Sequence, residues 1–239
     1  MVHKIKNKVY LIISLLLCLI SAWGASIIQS DNGHVTIKDM RWETASGQLI
    51  SALLYLPDSA VKSGNAPGVV TSHGWYNNRE FQDLNNIELS RRGYVVISID
   101  MYGHGNSDPV TSSEWRKHGT GLYDAVLLIS ELPYIDKSRI GITGHSNGAR
   151  ASNWAILDDK EGLISSVLLI ANDAMYTSSP DEPMFWASQP KIEDRDYVNR
   201  YGDRDVGIVA AQFDEFFFRS KMADGTVSPP KNYIHTHAA

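Results

Sequence analysis

The chain has 239 residues, of which 43% are apolar and 21% charged, and these proportions are ordinary for a globular protein. This length is enough for one α/β domain with a well-buried core. The net charge of -5 and the lack of a long basic run argue against a nucleic acid partner, because phosphate binding needs a clustered positive surface.

The N-terminal segment has the pattern of an export signal. Three lysines within the first eight residues precede an uncharged stretch over residues 9–25 that is rich in Leu and Ile. Ala22 and Gly24 offer small residues for cleavage, whereas the apolar run is nearly long enough to stay in a membrane. We therefore predict a signal peptide or membrane anchor over residues 1–25, an exported domain over residues 26–239, and a protein that is secreted or anchored facing outside.

The single cysteine, Cys18, lies inside this N-terminal segment. The predicted domain therefore has no cysteine, which excludes disulfides, thiolate metal sites and a cysteine nucleophile. No metal or organic cofactor is implied by the sequence.

Runs typical of β-strands begin after the N-terminal segment. Residues 35–42 and 49–56 are separated by a turn and predict an antiparallel hairpin, and residues 58–67 predict a surface loop. Short runs rich in β-branched residues then follow without strict alternation, as in strands buried on both faces. These predicted central strands are residues 68–72, 94–99, 139–143, 167–171 and 206–211.

Segments with helical spacing lie between these strands, at residues 81–92, 121–132 and 149–157. Alternation of strand and helix predicts an α/β fold with a mostly parallel, doubly wound sheet and helices on both faces. Ligand sites in such sheets lie beyond the carboxyl ends of the strands. The polar motifs of this sequence follow predicted strand ends.

Residues 144–148 read Gly-His-Ser-Asn-Gly and lie between a predicted strand and a predicted helix. In this context G-x-S-x-G is a nucleophile elbow, a sharp turn that exposes the serine hydroxyl. The turn crowds its own backbone, so Gly144 and Gly148 are needed on either side. The pattern predicts that Ser146 is the nucleophile of a serine hydrolase.

Other motifs follow the neighbouring predicted strands. His73-Gly74-Trp75 follows the third strand, the run Asp-Met-Tyr-Gly-His-Gly-Asn-Ser at residues 100–107 follows the fourth, and Asp214 follows the seventh. With the elbow, this order resembles the α/β-hydrolase family over residues 35–214. The resemblance is closest to exported or membrane-tethered esterases and serine peptidases grouped with dienelactone hydrolase and prolyl-oligopeptidase-like enzymes. It departs from the family at Ala149, where a second glycine is common.

The resemblance implies roles for several residues. The backbone N–H groups of Trp75 and Asn147 are expected to form an oxyanion hole, which stabilises negative charge on an attacked carbonyl. His73 is expected to organise hydrogen bonds under the loop that follows the third strand and carries Trp75, here called the oxyanion loop. His104 is expected to fix the loop after the fourth strand. His145 is expected to point away from the serine hydroxyl, so none of these three histidines is predicted to be the base.

The resemblance places the orienting acid after the seventh strand, at Asp214, with Asp173 after the sixth strand as an alternative. Chain order in this fold is Ser, acid, His, which leaves His235 and His237 as candidate bases. A family histidine normally precedes a last helix, and the sequence stops two residues after His237 without one. The sequence therefore leaves two alternatives, a C-terminally truncated hydrolase or a base near the terminus.

The segment 173–204 is long and rich in aromatic and acidic residues, and it predicts a small cap over the cleft. The leading functional hypothesis is an esterase that acts on small-molecule esters through an acyl-serine intermediate. A surface serine peptidase acting on short peptides or a lipase-like enzyme is the first alternative. A catalytically inactive scaffold that lacks the base is the second.

Overall fold

A computed structural model of the chain describes residues 2–111, 114–115, 117–172, 200–209, 220–221 and 227–228. The helices are α1 (Val2–Gln29), α2 (Asp58–Ser63), α3 (Asp83–Arg91), α4 (Leu122–Ser130) and α5 (Asn147–Asp158), with a short 3₁₀ helix at Lys117–Gly121. The strands of the main sheet are β1 (Val35–Glu43), β2 (Leu49–Pro57), β3 (Ala66–Ser72), β4 (Val95–Ile99), β5 (Ile135–His145), β6 (Ile164–Ile170) and β7 (Asp205–Val209). A separate pair is formed by β8 (Ser220–Lys221) and β9 (Val227–Ser228).

The main sheet has the strand order β1-β2-β4-β3-β5-β6-β7. The first two strands are antiparallel to each other, and β2 is antiparallel to β4. From β4 across β3, β5 and β6 to β7, each strand is parallel to the next. This arrangement confirms the predicted mostly parallel α/β fold with an N-terminal antiparallel hairpin.

The core lies on both faces of the central strands. All five residues of β4 are buried, which explains why this strand is a continuous apolar run rather than an alternating one. On α5 the buried face is made of small residues, with Ala149, Ala151 and Ala155 fully buried. These alanines let the helix backbone pack closely on the sheet, and Ala149 fits without a second glycine at its position.

Several element boundaries differ from the predictions. The predicted loop at residues 58–67 is wrong, because it contains α2 and the first residues of β3. Gly64 ends α2 in the left-handed conformation at φ 61°, which is a common way for a helix to stop. The helix predicted from residue 81 begins at Asp83, and the end of the strand predicted to reach residue 211 lies outside the described residues.

The N-terminal helix α1 is longer than the apolar segment predicted from the sequence. Within it, Lys6–Gln29 is long and apolar enough to cross a membrane, and no part of its most apolar stretch is buried against the domain. Signal sequences near an N-terminus share these properties. The helix therefore agrees with the expected signal or anchor and does not distinguish between the two.

Candidate active site

Ser146 lies between the last residue of β5 and the first residue of α5. Its backbone has φ 56° and ψ -111°, a conformation that non-glycine residues rarely adopt. The Ser146 N–H donates to the Ile170 carbonyl at the end of β6, over 2.8 Å, and this bond holds the strained turn in place. The residue is partly exposed, so its side chain is not enclosed in packed apolar material.

The two glycines of the elbow are required by close backbone contacts. A Cβ on Gly144 would lie 2.1 Å from the carbonyl carbon of Gly148, within the elbow itself. A Cβ on Gly148 would lie 2.4 Å from the carbonyl oxygen of Ser72 and 2.6 Å from that of His73. Both neighbours are backbone atoms that cannot rotate away, so only glycine fits. The same contacts bring the start of α5 directly against the end of β3.

His73 sets the direction of the first proposed oxyanion donor. Its ring is 1% exposed, Nε2 accepts the Met101 N–H over 3.1 Å, and Nδ1–H donates to the Gly74 carbonyl over 2.7 Å. The Gly74 carbonyl and the Trp75 N–H belong to one trans peptide unit and point in opposite directions. Fixing that carbonyl therefore fixes the direction of the Trp75 N–H.

The environment of His73 keeps its ring neutral. The pKa of His73 is lowered to about 4, chiefly by burial and to a smaller extent by proximity to His104, while the hydrogen bond to Gly74 and the Asp100 carboxylate oppose this shift. Both ring nitrogens are engaged in hydrogen bonds. The ring is thus a structural part of the loop, as expected from the sequence, and is not available to take a proton from Ser146.

Asn147 provides the second proposed donor. It is the first residue of α5, a position at which a helix leaves its N–H groups without intrahelical acceptors. The Ser146 carbonyl belongs to the same peptide unit and accepts two hydrogen bonds, from the Arg150 N–H over 3.1 Å and from the Asn172 side chain over 3.0 Å. These bonds fix the Asn147 N–H in direction. Asn172 was not predicted as a site residue from the sequence. The only indication in the sequence is that this polar residue directly follows a predicted strand.

The loop that carries Trp75 lies against the residue that precedes Ser146. A Cβ on Gly74 would lie 3.0 Å from Nδ1 of His145 and 3.5 Å from the His145 carbonyl. The oxyanion loop therefore runs directly against the elbow. Among the hydrogen bonds of the described residues, none engages the backbone N–H of Trp75.

Arg79 anchors the far end of the oxyanion loop. Its guanidinium donates two hydrogen bonds to Asp39 on β1, over 3.0 and 2.9 Å, and others to Ser51 and to the Ala52 carbonyl on β2. Its backbone N–H donates to Asp100, over 2.9 Å. The hydrogen bonds with Asp39 raise the pKa of Arg79 and lower the pKa of Asp39, so the pair is held in its charged form.

The loop after β4 wraps around the Asp100 carboxylate, which is 1% exposed. One carboxylate oxygen accepts the Arg79 N–H and the other accepts the Asn106 N–H over 3.1 Å. Gly105 passes so close that an added Cβ would lie 2.2 Å from the carboxyl carbon. His104 is held in this loop by a hydrogen bond between Nδ1 and the Tyr102 carbonyl, over 3.2 Å, as the sequence led us to expect.

A strip of aromatic rings extends from the oxyanion loop to α5. Trp75 lies 5.2 Å from Trp115, and Trp115 lies 6.4 Å from Trp154 on α5, measured between ring centroids. His104 packs against both Trp75 and Trp115. Trp75 is 44% exposed, so the strip presents apolar surface beside the proposed oxyanion hole.

The remaining predicted site residues lie outside the described residues. They are the acid Asp214, its alternative Asp173, and the candidate bases His235 and His237. Most of the predicted cap, 173–199, also lies outside. Its last residues are described, and there the Tyr201 hydroxyl donates to Asn153 on α5 over 2.8 Å. Within the described ranges, no cluster of three or more His, Cys, Asp or Glu residues could hold a metal ion.

Comparisons with known proteins agree with this geometry. Residues 46–201 match the X-Pro dipeptidyl-peptidase (S15 family) sequence profile. An uncharacterized peptidase of Bacillus subtilis is 26% identical over 129 residues, which are 50% of this chain and 19% of that protein. A thiohydrolase of Aspergillus aculeatus is 29% identical over 141 residues, which are 57% of this chain and 43% of that protein. The chain thus matches less than half the length of these curated relatives.

Solved structures share the fold. An acetyl xylan esterase from Paenibacillus superposes with a TM-score of 0.51 and 20% identity, over 58% of this chain and 49% of that chain. A hypothetical protein from Pseudomonas aeruginosa superposes with a TM-score of 0.50 and 23% identity, over 58% and 43%. The profile match covers more than half of the chain. This protein therefore belongs to the X-Pro dipeptidyl-peptidase (S15) family and has the α/β-hydrolase fold.

Proposed function

We propose that this protein is a serine hydrolase that cleaves carboxylic esters through an acyl-Ser146 intermediate. The observation that carries the proposal is the position of Ser146, in a strained turn whose backbone touches the loop of Trp75. This contact between the elbow and the Trp75 loop supports a site in which the Ser146 hydroxyl attacks and the two peptide N–H groups receive the oxyanion, as acyl transfer requires.

The proposed reaction has two halves. The Ser146 oxygen attacks the ester carbonyl while a histidine, His235 or His237, takes the hydroxyl proton, and the N–H groups of Trp75 and Asn147 stabilise the oxyanion. The C–O bond to the alcohol then breaks and the alcohol leaves with that proton. Water repeats the sequence on the acyl-enzyme, releasing the acid and restoring Ser146. Asp214 orients the histidine and stabilises its cation.

The alternatives to an ester substrate have support of different kinds. The matched family and the Bacillus relative are named as peptidases, and the Aspergillus relative is named as a thiohydrolase. An ester remains our proposal because the apolar strip of Trp75, Trp115 and Trp154 offers a surface for an acyl or alkyl group. A small-molecule substrate fits this surface, and Trp154→Ala is expected to raise KM for longer acyl chains more than for acetate.

The test compares Ser146→Ala with the unaltered protein on two substrates, p-nitrophenyl acetate and Gly-Pro p-nitroanilide. We expect the ester to be the better substrate, and Ser146→Ala to lower kcat/KM by about 10³-fold or more, because the nucleophile is lost. Ser165→Ala is the matched control, since this serine bonds the Ile140 carbonyl at the opposite edge of the sheet. Equal ester hydrolysis by Ser146→Ala and the unaltered protein would contradict the proposal, and faster anilide hydrolysis would favour the peptidase.

A further inference from the structure

The N-terminal helix leads into the edge of the sheet that is opposite the nucleophile. The parallel pairing of β3 with β4 begins where Gly68 lies opposite Val95 and ends where Ser72 lies opposite Ile99. Strand β2 runs the other way, so its last residues lie near the start of β4, where Tyr55 pairs with Val96. Val35, the first residue of β1, pairs with Pro57 at this same edge.

The elbow lies at the other edge. Ser72 pairs with Gly144, and His145 pairs with Ile170, at the carboxyl ends of their strands. Strand β3 is seven residues long, which separates the two edges by about 20 Å. The proposed nucleophile and the entry of α1 are therefore at opposite ends of the domain.

The connection between α1 and the domain is short and bonded throughout. Only five residues separate Gln29 from Val35, and all of them lie in turns. The Asn32 N–H donates to the Ile27 carbonyl and the Val35 N–H to the Ser30 carbonyl, both over 2.9 Å. This connection is therefore a short, hydrogen-bonded joint rather than a long open linker.

Arg91, the last residue of α3, closes this joint from the domain side. Its guanidinium donates to the Ile28 carbonyl in the last turn of α1 and lies 3.8 Å from the Asp31 carboxylate. The end of α1 is thus tied to the domain by the main chain and by a charged side chain, while the apolar body of the helix is exposed.

We propose that α1, when it stays in the membrane, holds the domain with the Val35 edge of its sheet against the bilayer and its catalytic edge directed away. A joint of this kind prevents the domain from turning over. The substrates are then water-soluble esters, and lipids of the same membrane lie out of reach. This inference rests on the proposed function.

The test uses the full chain in detergent micelles and in phosphatidylcholine vesicles, with two reactive probes. One is a soluble fluorophosphonate, and the other carries the fluorophosphonate on a phospholipid head group in the same bilayer. In detergent both probes are expected to label Ser146. In vesicles we expect the soluble probe to keep its rate and the lipid probe to label at least about tenfold more slowly. The lipid probe is confined to the bilayer and cannot reach Ser146, so its effective concentration at the nucleophile is close to zero.

A linker variant sharpens this test. A Gly/Ser insertion of about 20 residues between Asp31 and Asn32 has a root-mean-square span of roughly 25 Å, comparable to the height of the sheet. It interrupts the main-chain connection, and Arg91→Ala in the same variant removes the remaining bonds to Ile28 and Asp31, so we expect the combined variant to restore labelling by the lipid probe. The soluble probe serves as the control, since its rate should not change.

The outcomes separate the two proposals. Equally fast lipid-probe labelling in vesicles and detergent, or loss of the protein from floated vesicles, would overturn the orientation and leave the serine hydrolase intact. Failure of the combined variant to restore lipid-probe labelling would also overturn the orientation. Absence of labelling by either probe in detergent would overturn the proposed function and the inference with it.

Discussion

The nucleophile elbow and the oxyanion loop are positioned by different physical means. In the elbow, backbone atoms touch each other so closely that Gly144 and Gly148 leave no room for any side chain. In the oxyanion loop, side chains from other parts of the sequence hold the backbone, with His73 bonded to the loop after β4 and Arg79 bonded to β1 and β2. The elbow combines steric exclusion with backbone hydrogen bonds of Ser146, whereas the oxyanion loop depends on hydrogen bonds from side chains.

This difference predicts different responses to mutation. Backbone atoms cannot move away from an added methyl group, so a substitution at either glycine is expected to prevent the elbow from forming. In the oxyanion loop a single mutation removes only some of the hydrogen bonds, and the remaining bonds keep part of the geometry. Graded loss in the loop and abrupt loss in the elbow are therefore the expected pattern.

The largest effect is expected for Gly148→Ala. Its Cβ meets the Ser72 carbonyl oxygen at 2.4 Å, and moving α5 off β3 should cost about 3 kcal/mol or more and abolish activity. Urea unfolding measures the loss. Gly162→Ala is the matched control, because Gly162 has φ 70° with nothing within 4 Å of an added Cβ, and backbone strain alone costs about 1 kcal/mol. Equal losses in the two variants would show that the contact at Gly148 does not restrict the elbow.

A smaller effect is expected for Arg79→Lys. Lysine keeps the positive charge but cannot make the bidentate hydrogen bond to Asp39, so the oxyanion loop is held less firmly. We expect a loss of about 2 kcal/mol in stability and about tenfold slower fluorophosphonate labelling of the folded protein.

Arg204→Lys is the control for this variant. Arg204 pairs with buried Asp159 over 2.9 Å and bonds the carbonyl of Ile164, at the start of β6 and away from the elbow. It should lose similar stability and label at the normal rate. If both lysine variants label equally slowly, Arg79 has no specific effect on the site.

The last expected effect is a pH dependence that arises from His73. Its pKa is about 4 in the folded protein against an ordinary 6.5, so the unfolded chain binds more protons between these values. Stability should therefore fall as the pH drops from about 6.5 to 4, by up to about 1.4 kcal/mol per pH unit. Thermal unfolding at several pH values measures this slope. His73→Gln should reduce it and His34→Gln, at an exposed histidine, should not; equal slopes in all three proteins would contradict this assignment.

The elbow could be predicted from the sequence because its determinants are local. Gly144, Ser146 and Gly148 lie within five residues, between a strand and a helix that their own patterns indicate. The oxyanion loop could be located from His73-Gly74-Trp75, but the residues that hold it could not be found in this way. Arg79 and Asp39 are 40 positions apart, so nothing in the local pattern links them.

The predicted roles of the site residues stay predictions. The segments of Ser146, Asn147 and Trp75 lie in backbone contact with each other, whereas Asp214, His235 and His237 lie outside the described residues. The start of α3 was missed for a different reason. A turn held by a buried partner, such as the one that Asp100 makes with Arg79, overrides the local helical pattern that precedes Asp83.

The most direct test of the account is to locate a fluorophosphonate adduct by mass spectrometry. After labelling, trypsin releases the peptide of residues 140–150, Ile-Gly-Ile-Thr-Gly-His-Ser-Asn-Gly-Ala-Arg, which contains a single serine. We expect this peptide to carry the adduct at Ser146 and Ser146→Ala to abolish it. An unmodified peptide together with an adduct at another residue would contradict the assignment of Ser146 as the nucleophile.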